Sequence, residues 1–301
     1  KAYLNNDGFK NVDIFDFNIH PTFKNLLNQY NRILKGGLPQ EKQSHFYNHS
    51  GYALYDLIGG YFRQTDDALF RRYVSQVVDN YFYFKVSEET VDGIINTLQT
   101  LESEYRKEFQ NVLETKKPDV LGFSAYSGSL MLSIVGCKMA KKFNPDVLTM
   151  IGGGAFAEQL SIGSPNFKKF SKATEDCIDK IIVGEGELLT LMLLNGELPE
   201  DKNVFSINDI KRSVINVNEA LLPDYNQLSV DSYPHLSAYT SRSCPYQCSF
   251  CSETVYGGTY RKKSASLIVE ELNKLYDIHN YQLFLFGDSL LNPLIDKLAT
   301  E

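Results

Sequence analysis

Three thiols stand close together in the chain, in the stretch Cys244-Pro-Tyr-Gln-Cys248-Ser-Phe-Cys251. Thiolates are soft ligands that suit iron–sulfur clusters and zinc. The Cys-x3-Cys-x2-Cys spacing lets one loop turn all three sulfurs toward a single centre. A closed zinc site takes four protein ligands. No fourth cysteine lies nearby, and the flanking histidines, His235 and His279, lack tight ligand spacing. Three protein ligands on an iron–sulfur cluster leave one iron open to a substrate or cofactor. The residues alone leave three readings: an iron–sulfur cluster, a zinc site, or three incidental cysteines.

The elements around the thiols are legible. His235–Thr240 reads as a strand running into the cysteines, Ser264–His279 as a helix, and Tyr281–Phe286 as a strand ending in Gly287-Asp288. Strand, helix, strand predicts a parallel pair. The same alternation precedes it. Asp119–Ala125, Leu130–Phe143, Val147–Ile151, Asp179–Val183 and Leu188–Leu194 read as strand, helix, strand, strand and helix. This predicts an α/β fold with a doubly wound parallel sheet, whose ligands bind beyond the carboxyl ends of the strands. Small or glycine-rich loops lie at those ends: Ser124–Gly128, Gly152–Gly154 and Gly184–Glu187.

Further upstream, Val12–Asp16 reads as a strand and Pro21–Leu34 as a helix. Residues 50–115 carry helical spacing, with Tyr55, Leu57, Ile58 and Tyr61, then Leu69, Tyr73, Val77 and Tyr81, expected to face a core. Residues 196–236 have weak periodicity and read as a linker with short strands.

Composition narrows the class. Thirty Lys and Arg against 37 Asp and Glu give a net charge of −7, which disfavours attachment to nucleic acid by bulk charge. With 43% apolar and 22% charged residues, disorder is not expected. No run approaches the roughly 18 apolar residues of a membrane span. Five cysteines, an odd count with three clustered, do not look like a secreted disulfide framework and fit a reducing, cytoplasmic setting. At roughly 150 residues per domain, 301 residues suggest two domains. The chain opens with Lys1 and closes on Leu290–Glu301, which reads as a helix barely begun. Both ends are therefore expected to fall inside a longer fold, a trimmed terminus being the alternative.

Cys-x3-Cys-x2-Cys directly after a strand, with Phe250 before the last cysteine, resembles the radical S-adenosylmethionine (radical SAM) enzymes. The resemblance implies that Cys244, Cys248 and Cys251 hold a [4Fe–4S] cluster, that SAM chelates its fourth iron, and that reduction cleaves SAM to a 5′-deoxyadenosyl radical. It implies an electron donor such as flavodoxin or ferredoxin. Phe250 would pack near the cluster and the adenine. Gly287 and Asp288 occupy the place where the family puts a motif beside the SAM amino group; Asp288 as a helix cap is the plainer alternative. Phe286-Gly287-Asp288-Ser289 departs from the common Gly-Gly-Glu form.

The upstream half resembles the cobalamin-binding domain of the B12-dependent branch. Asp16-Phe17-Asn18, Gly122-Phe123-Ser124 with Ser127, Gly152-Gly153-Gly154 and Gly184-Glu185-Gly186-Glu187 match in order. By this resemblance Ser124, Ser127, Gly152, Gly153, Gly154, Gly184, Glu185 and Gly186 would contact cobalamin. Glu185 and Glu187 also suit a helix N-terminus on charge alone. The strand that often carries the lower cobalt ligand would lie before Lys1, and His20 follows a different strand. The implied organisation is a cobalamin-binding-like domain over 1–195 with a helical insertion near 50–115, a linker over 196–236, and over 237–301 the first βα units of a partial (β/α)6 radical SAM barrel. The implied activity is methyl transfer to an unactivated carbon, from methylcobalamin to a substrate radical. A radical reaction without methylation or without cobalamin, and a non-catalytic cofactor-binding piece, are the alternatives.

Overall fold

The protein is described from a computed structural model covering residues 1–157, 160–210, 215–246, 248–249, 251 and 258–291. It is an α/β protein. Four strands, β1 (Val120–Ser124), β2 (Leu148–Gly152), β3 (Lys180–Val183) and β4 (Val204–Ser206), form a parallel sheet in the order β1-β2-β3-β4. In its register, Ile181 lies opposite Val204 and Val183 opposite Ser206. The segment read as a linker with short strands supplies the edge strand β4. The chain resolves into two compact units, residues 17–151 with 172–179, and residues 1–16, 152–171 and 180–301.

The first unit is mostly helical before the sheet begins. Helix α2 (Pro21–Gly37) starts with proline at its first turn, where the missing N–H costs nothing. Helices α3 (Phe46–Tyr61), α4 (Asp67–Phe82) and α5 (Glu88–Lys116) follow. Asp66 caps α4 by accepting from the Leu69 N–H at 2.7 Å, and Ser87 caps α5 by accepting from the Thr90 N–H. Tyr83 and Lys117 end these helices in the left-handed region. α2 packs along α5 and α3 along α4 around Tyr30, Leu34, Leu57, Val74, Ile94 and Leu98. Burying each such side chain is worth about 1.5–3 kcal/mol.

The stripe predicted on α4 meets this core only in part. Val77 is buried as expected, together with Phe70, Val74 and Val78, whereas Leu69 is 61% exposed. Tyr73 and Tyr81 sit at the margin, where their hydroxyls donate to the Asp56 carbonyl at 3.1 Å and carboxylate at 2.8 Å. A tyrosine ring with a wet hydroxyl suits an edge better than a centre.

Helix α6 (Leu130–Phe143) has the predicted bounds and follows β1. Asp179, just before β3, accepts from the Thr149 N–H at 2.7 Å and pairs with Lys141 at 2.7 Å. Burial opposes the Asp179 charge, but Lys141 and Thr149 outweigh it and hold its carboxyl below the usual range.

In the second unit, α1 (Ala2–Asn6) is followed by an extended segment, not by the predicted strand over Val12–Asp16. Its polar groups are met by a side chain: the Gln227 carboxamide accepts from the Ile14 N–H and donates to Asp13, both at 3.0 Å. Asp16 instead takes a hydrogen bond from the Tyr233 hydroxyl. Helices α7 (Pro165–Ala173) and α8 (Gly186–Leu194) complete the α/β part. Beyond β4, strands β5 (Leu236–Ala238) and β8 (Phe284–Phe286) pair in parallel, joined through α9 (Ala265–His279), as predicted. Ser264 caps α9. Between β5 and α9, β6 (Ser241–Arg242) and β7 (Arg261–Lys262) form a short antiparallel ribbon. The predicted terminal helix from Leu290 lies almost wholly outside the described residues.

Candidate functional site: the thiol loop and its supports

The ribbon β6–β7 brings together the two ends of the loop that carries the thiols. Arg242 lies directly opposite Arg261. Ser243, between Arg242 and Cys244, has φ +64° and its hydroxyl donates to the Gly258 carbonyl at 2.8 Å, tying the loop across its base. The Cys251 N–H donates to the Cys248 carbonyl at 3.0 Å within the loop. Cys248 is exposed, and Cys244 and Cys251 are half-buried. None is in a disulfide. The other two thiols differ in kind: burial pushes Cys137 up to about 12 and Cys177 to about 11, so both stay protonated and inert.

In kind, the three loop thiols suit a soft-metal centre. Their sulfurs are not gathered: among the described residues no group of three or more Cys, His, Asp or Glu side chains lies close enough to hold a metal ion. Phe250, predicted beside the cluster, lies outside the described residues.

Asp288 follows β8 and is tied to the start of the thiol loop. Its Oδ1 accepts from the Thr240 N–H at 2.9 Å, the Thr240 hydroxyl at 3.0 Å and the Ser241 hydroxyl at 2.7 Å, and also from the Ser241 N–H. These donors are buried, with Thr240 fully enclosed. Asp288 therefore braces β8 against the turn between β5 and β6. Its second oxygen takes one longer bond, from the Thr240 N–H at 3.2 Å. Beside it, Gly287 leaves room for the Tyr239 ring, which a Cβ would meet at 2.8 Å.

The strand-end loops lie where the sequence puts them. Ser124 closes β1 and Ser127 follows in an exposed turn. Gly152 closes β2; a Cβ there would lie 2.9 Å from the Ile182 carbonyl oxygen, so close strand packing alone requires glycine. Gly153 (φ +102°) and Gly184 (φ +92°) adopt backbone that other residues avoid. Gly154 begins a short 3-10 turn, and Gly186 opens α8, where a Cβ would meet Ile182 and Thr190 at ordinary contact distances.

Glu185, one of the residues named for cobalamin contact, has its carboxylate held by two arginines. Arg261 grips both its oxygens, one at 3.1 Å, and Arg242 approaches at 3.3 Å. Glu187 takes a second bond from Arg242 at 2.7 Å. Burial opposes the Arg242 charge, yet Glu187 and Glu185 together raise its pKa. Arg242 and Arg261 escaped the sequence reading. The available signal was a lone arginine at each foot of the thiol loop, matched by an acidic pair in Gly184-Glu185-Gly186-Glu187.

The chain matches no described protein family profile. It is 28% identical to an uncharacterized methyltransferase of Pyrococcus horikoshii over 55% of this chain and 38% of that protein. It is 25% identical to an anaerobic magnesium-protoporphyrin IX monomethyl ester cyclase of Rubrivivax gelatinosus over 66% of this chain and 37% of the other. It is 31% identical to a hopanoid C-3 methylase of Methylococcus capsulatus over 59% of this chain and 36% of the other. The matches thus span well under half the length of these relatives. This chain is thus a homologue of proteins named as methyl-transferring enzymes and as a ring cyclase.

Proposed function

We propose that this chain is the cofactor-binding part of a B12-dependent radical SAM enzyme, most simply a methyltransferase acting on an unactivated carbon. The observation that carries the reading is the Cys-x3-Cys-x2-Cys loop set between β5 and α9 of a parallel strand–helix–strand unit. Cys244, Cys248 and Cys251 would hold a [4Fe–4S] cluster, with the thiol loop drawing its three sulfurs together around it. When bound, the cluster with SAM supplies a radical able to abstract hydrogen, and cobalamin supplies the methyl group.

The chain's own residues do the positioning. The ribbon fixes the ends of the thiol loop, and Asp288 locks β8 to the loop's entry. The second carboxylate oxygen of Asp288 and the backbone at Gly287 are the candidates to meet the SAM amino group. Ser124, Ser127, Gly152–Gly154, Gly184 and Gly186 are the candidates for cobalamin, through hydroxyls and bare backbone. Glu185 joins them through its backbone, while its carboxylate supports the ribbon. No acid or base among the side chains is required by this scheme. An electron donor such as flavodoxin or ferredoxin would serve it.

A second reading, ring closure in place of methylation, draws on the cyclase relative, whose match runs over 66% of this chain. The test is anaerobic reconstitution with iron, sulfide and SAM. Expected are about four irons per chain, a cluster signal lost in Cys248→Ala, and 5′-deoxyadenosine on reduction. A full cluster signal in Cys248→Ala overturns the ligand assignment. Retention of cobalamin on gel filtration supports the B12 branch, and its absence removes it.

A further inference from the structure

The ribbon that feeds the thiol loop is held together by acids from another part of the fold. β6 and β7 are two residues each, far short of what sustains an isolated hairpin. Worse, the directly opposed pair is Arg242 and Arg261. Like charges facing each other across a ribbon repel. Glu185 lies between them, taking Arg261 through both guanidinium nitrogens and Arg242 at 3.3 Å, while Glu187 takes Arg242 at 2.7 Å. The Arg261 and Glu185 side chains are only 13% and 16% exposed, so water screens them little. Arg261 is further fixed by the Ile215 carbonyl at 3.0 Å. Both acids sit at the start of α8, where negative charge is favoured in any case.

We infer that Glu185 and Glu187 are positioning residues for the thiol loop: from the end of β3 they close the β6–β7 ribbon by neutralising the Arg242–Arg261 pair. None of the four side chains need touch a sulfur. Their work is to hold residues 243 and 260 together, so that the loop between them presents its thiols from a closed base. That the loop then holds an iron–sulfur cluster rests on the proposed function; that the acids close it does not.

The test is loop cleavage by chymotrypsin in the whole chain, since Tyr246, Phe250, Tyr256 and Tyr260 offer sites there while no lysine or arginine does. Glu185→Gln with Glu187→Gln is expected to speed cleavage within 243–260 by about tenfold or more, the scale of a broken part-buried pair. The reciprocal exchange Glu185→Arg with Arg261→Glu is expected to slow it again, which a general loss of packing would not do. Far-UV circular dichroism checks that the variants are folded; should the double variant not fold, Glu185→Gln alone with the same exchange decides. Unchanged cleavage in a folded Gln variant, or no rescue by the exchange, overturns the inference. Iron uptake in parallel separates the two claims. If the parent takes up no iron but cleavage responds as expected, the cluster assignment fails and the ribbon inference stands. If the parent takes up iron and cleavage is indifferent to the acids, the reverse holds.

Discussion

Asp288 and Ser241 are joined twice, through the Ser241 N–H and through its hydroxyl at 2.7 Å. One carboxylate at the end of β8 thereby closes the turn from which the thiol loop departs. With Thr240 also bound to it, the group is a brace between parallel strands before it is anything else.

Asp288→Ala is expected to destabilise the protein by about 2–4 kcal/mol, because the buried N–H and hydroxyl groups of Thr240 and Ser241 lose the carboxylate oxygen that now accepts from them. Urea unfolding measures it. A loss under about 0.5 kcal/mol would mean that the brace is dispensable.

Thiol reactivity should divide the cysteines. Alkylation near pH 8 is expected to reach exposed Cys248 first and to leave Cys137 and Cys177 untouched in the folded chain, since burial raises the latter two to about 12 and 11. Peptide mass spectrometry after a timed pulse reads the order. Early modification of Cys137 would contradict its burial.

The glycines at the strand ends should differ in tolerance. Gly152→Ala is expected to cost about 1–3 kcal/mol, because its Cβ meets a backbone carbonyl that cannot move aside. Gly186→Ala is expected to be neutral or slightly stabilising, for its neighbours stand at 3.7 Å and 3.8 Å and alanine favours helix. Paired thermal melts compare them, and equal losses would deny the distinction.

Stability should fall in acid partly through Asp179. Its folded carboxyl titrates below the usual range, so the Lys141 and Thr149 interactions contribute fully above the unfolded value, near 3.9, and are lost as pH falls toward the lower folded one. Asp179→Asn is expected to lower stability at pH 7 by about 1–3 kcal/mol and to flatten the acid limb. Urea midpoints from pH 7 to pH 2.5 measure both; a parallel pair of curves would remove Asp179 from the acid response.

Local order in the chain determined much of this. Alternating apolar runs and glycine-ended turns located α6 to the residue and β1, β2, β3, β5 and β8 closely, because strand and helix periods are written in nearest neighbours. The cysteine spacing likewise carries its chemistry in eight consecutive residues. The short strand β4 carried no such signal: three residues are too few to show a period, and its place comes from pairing with β3.

Charge partners were decided only in three dimensions. Glu185 and Arg261 are 76 residues apart, and Asp288 and Thr240 are 48 apart. A carboxylate after a strand reads equally well as a ligand contact, a cap or an ion pair until its partner is known. The sequence alone determined which groups this protein has to spend. The tertiary structure decided where Glu185 and Asp288 are spent, because a part-buried charge must find its counter-charge or donors wherever the chain brings them.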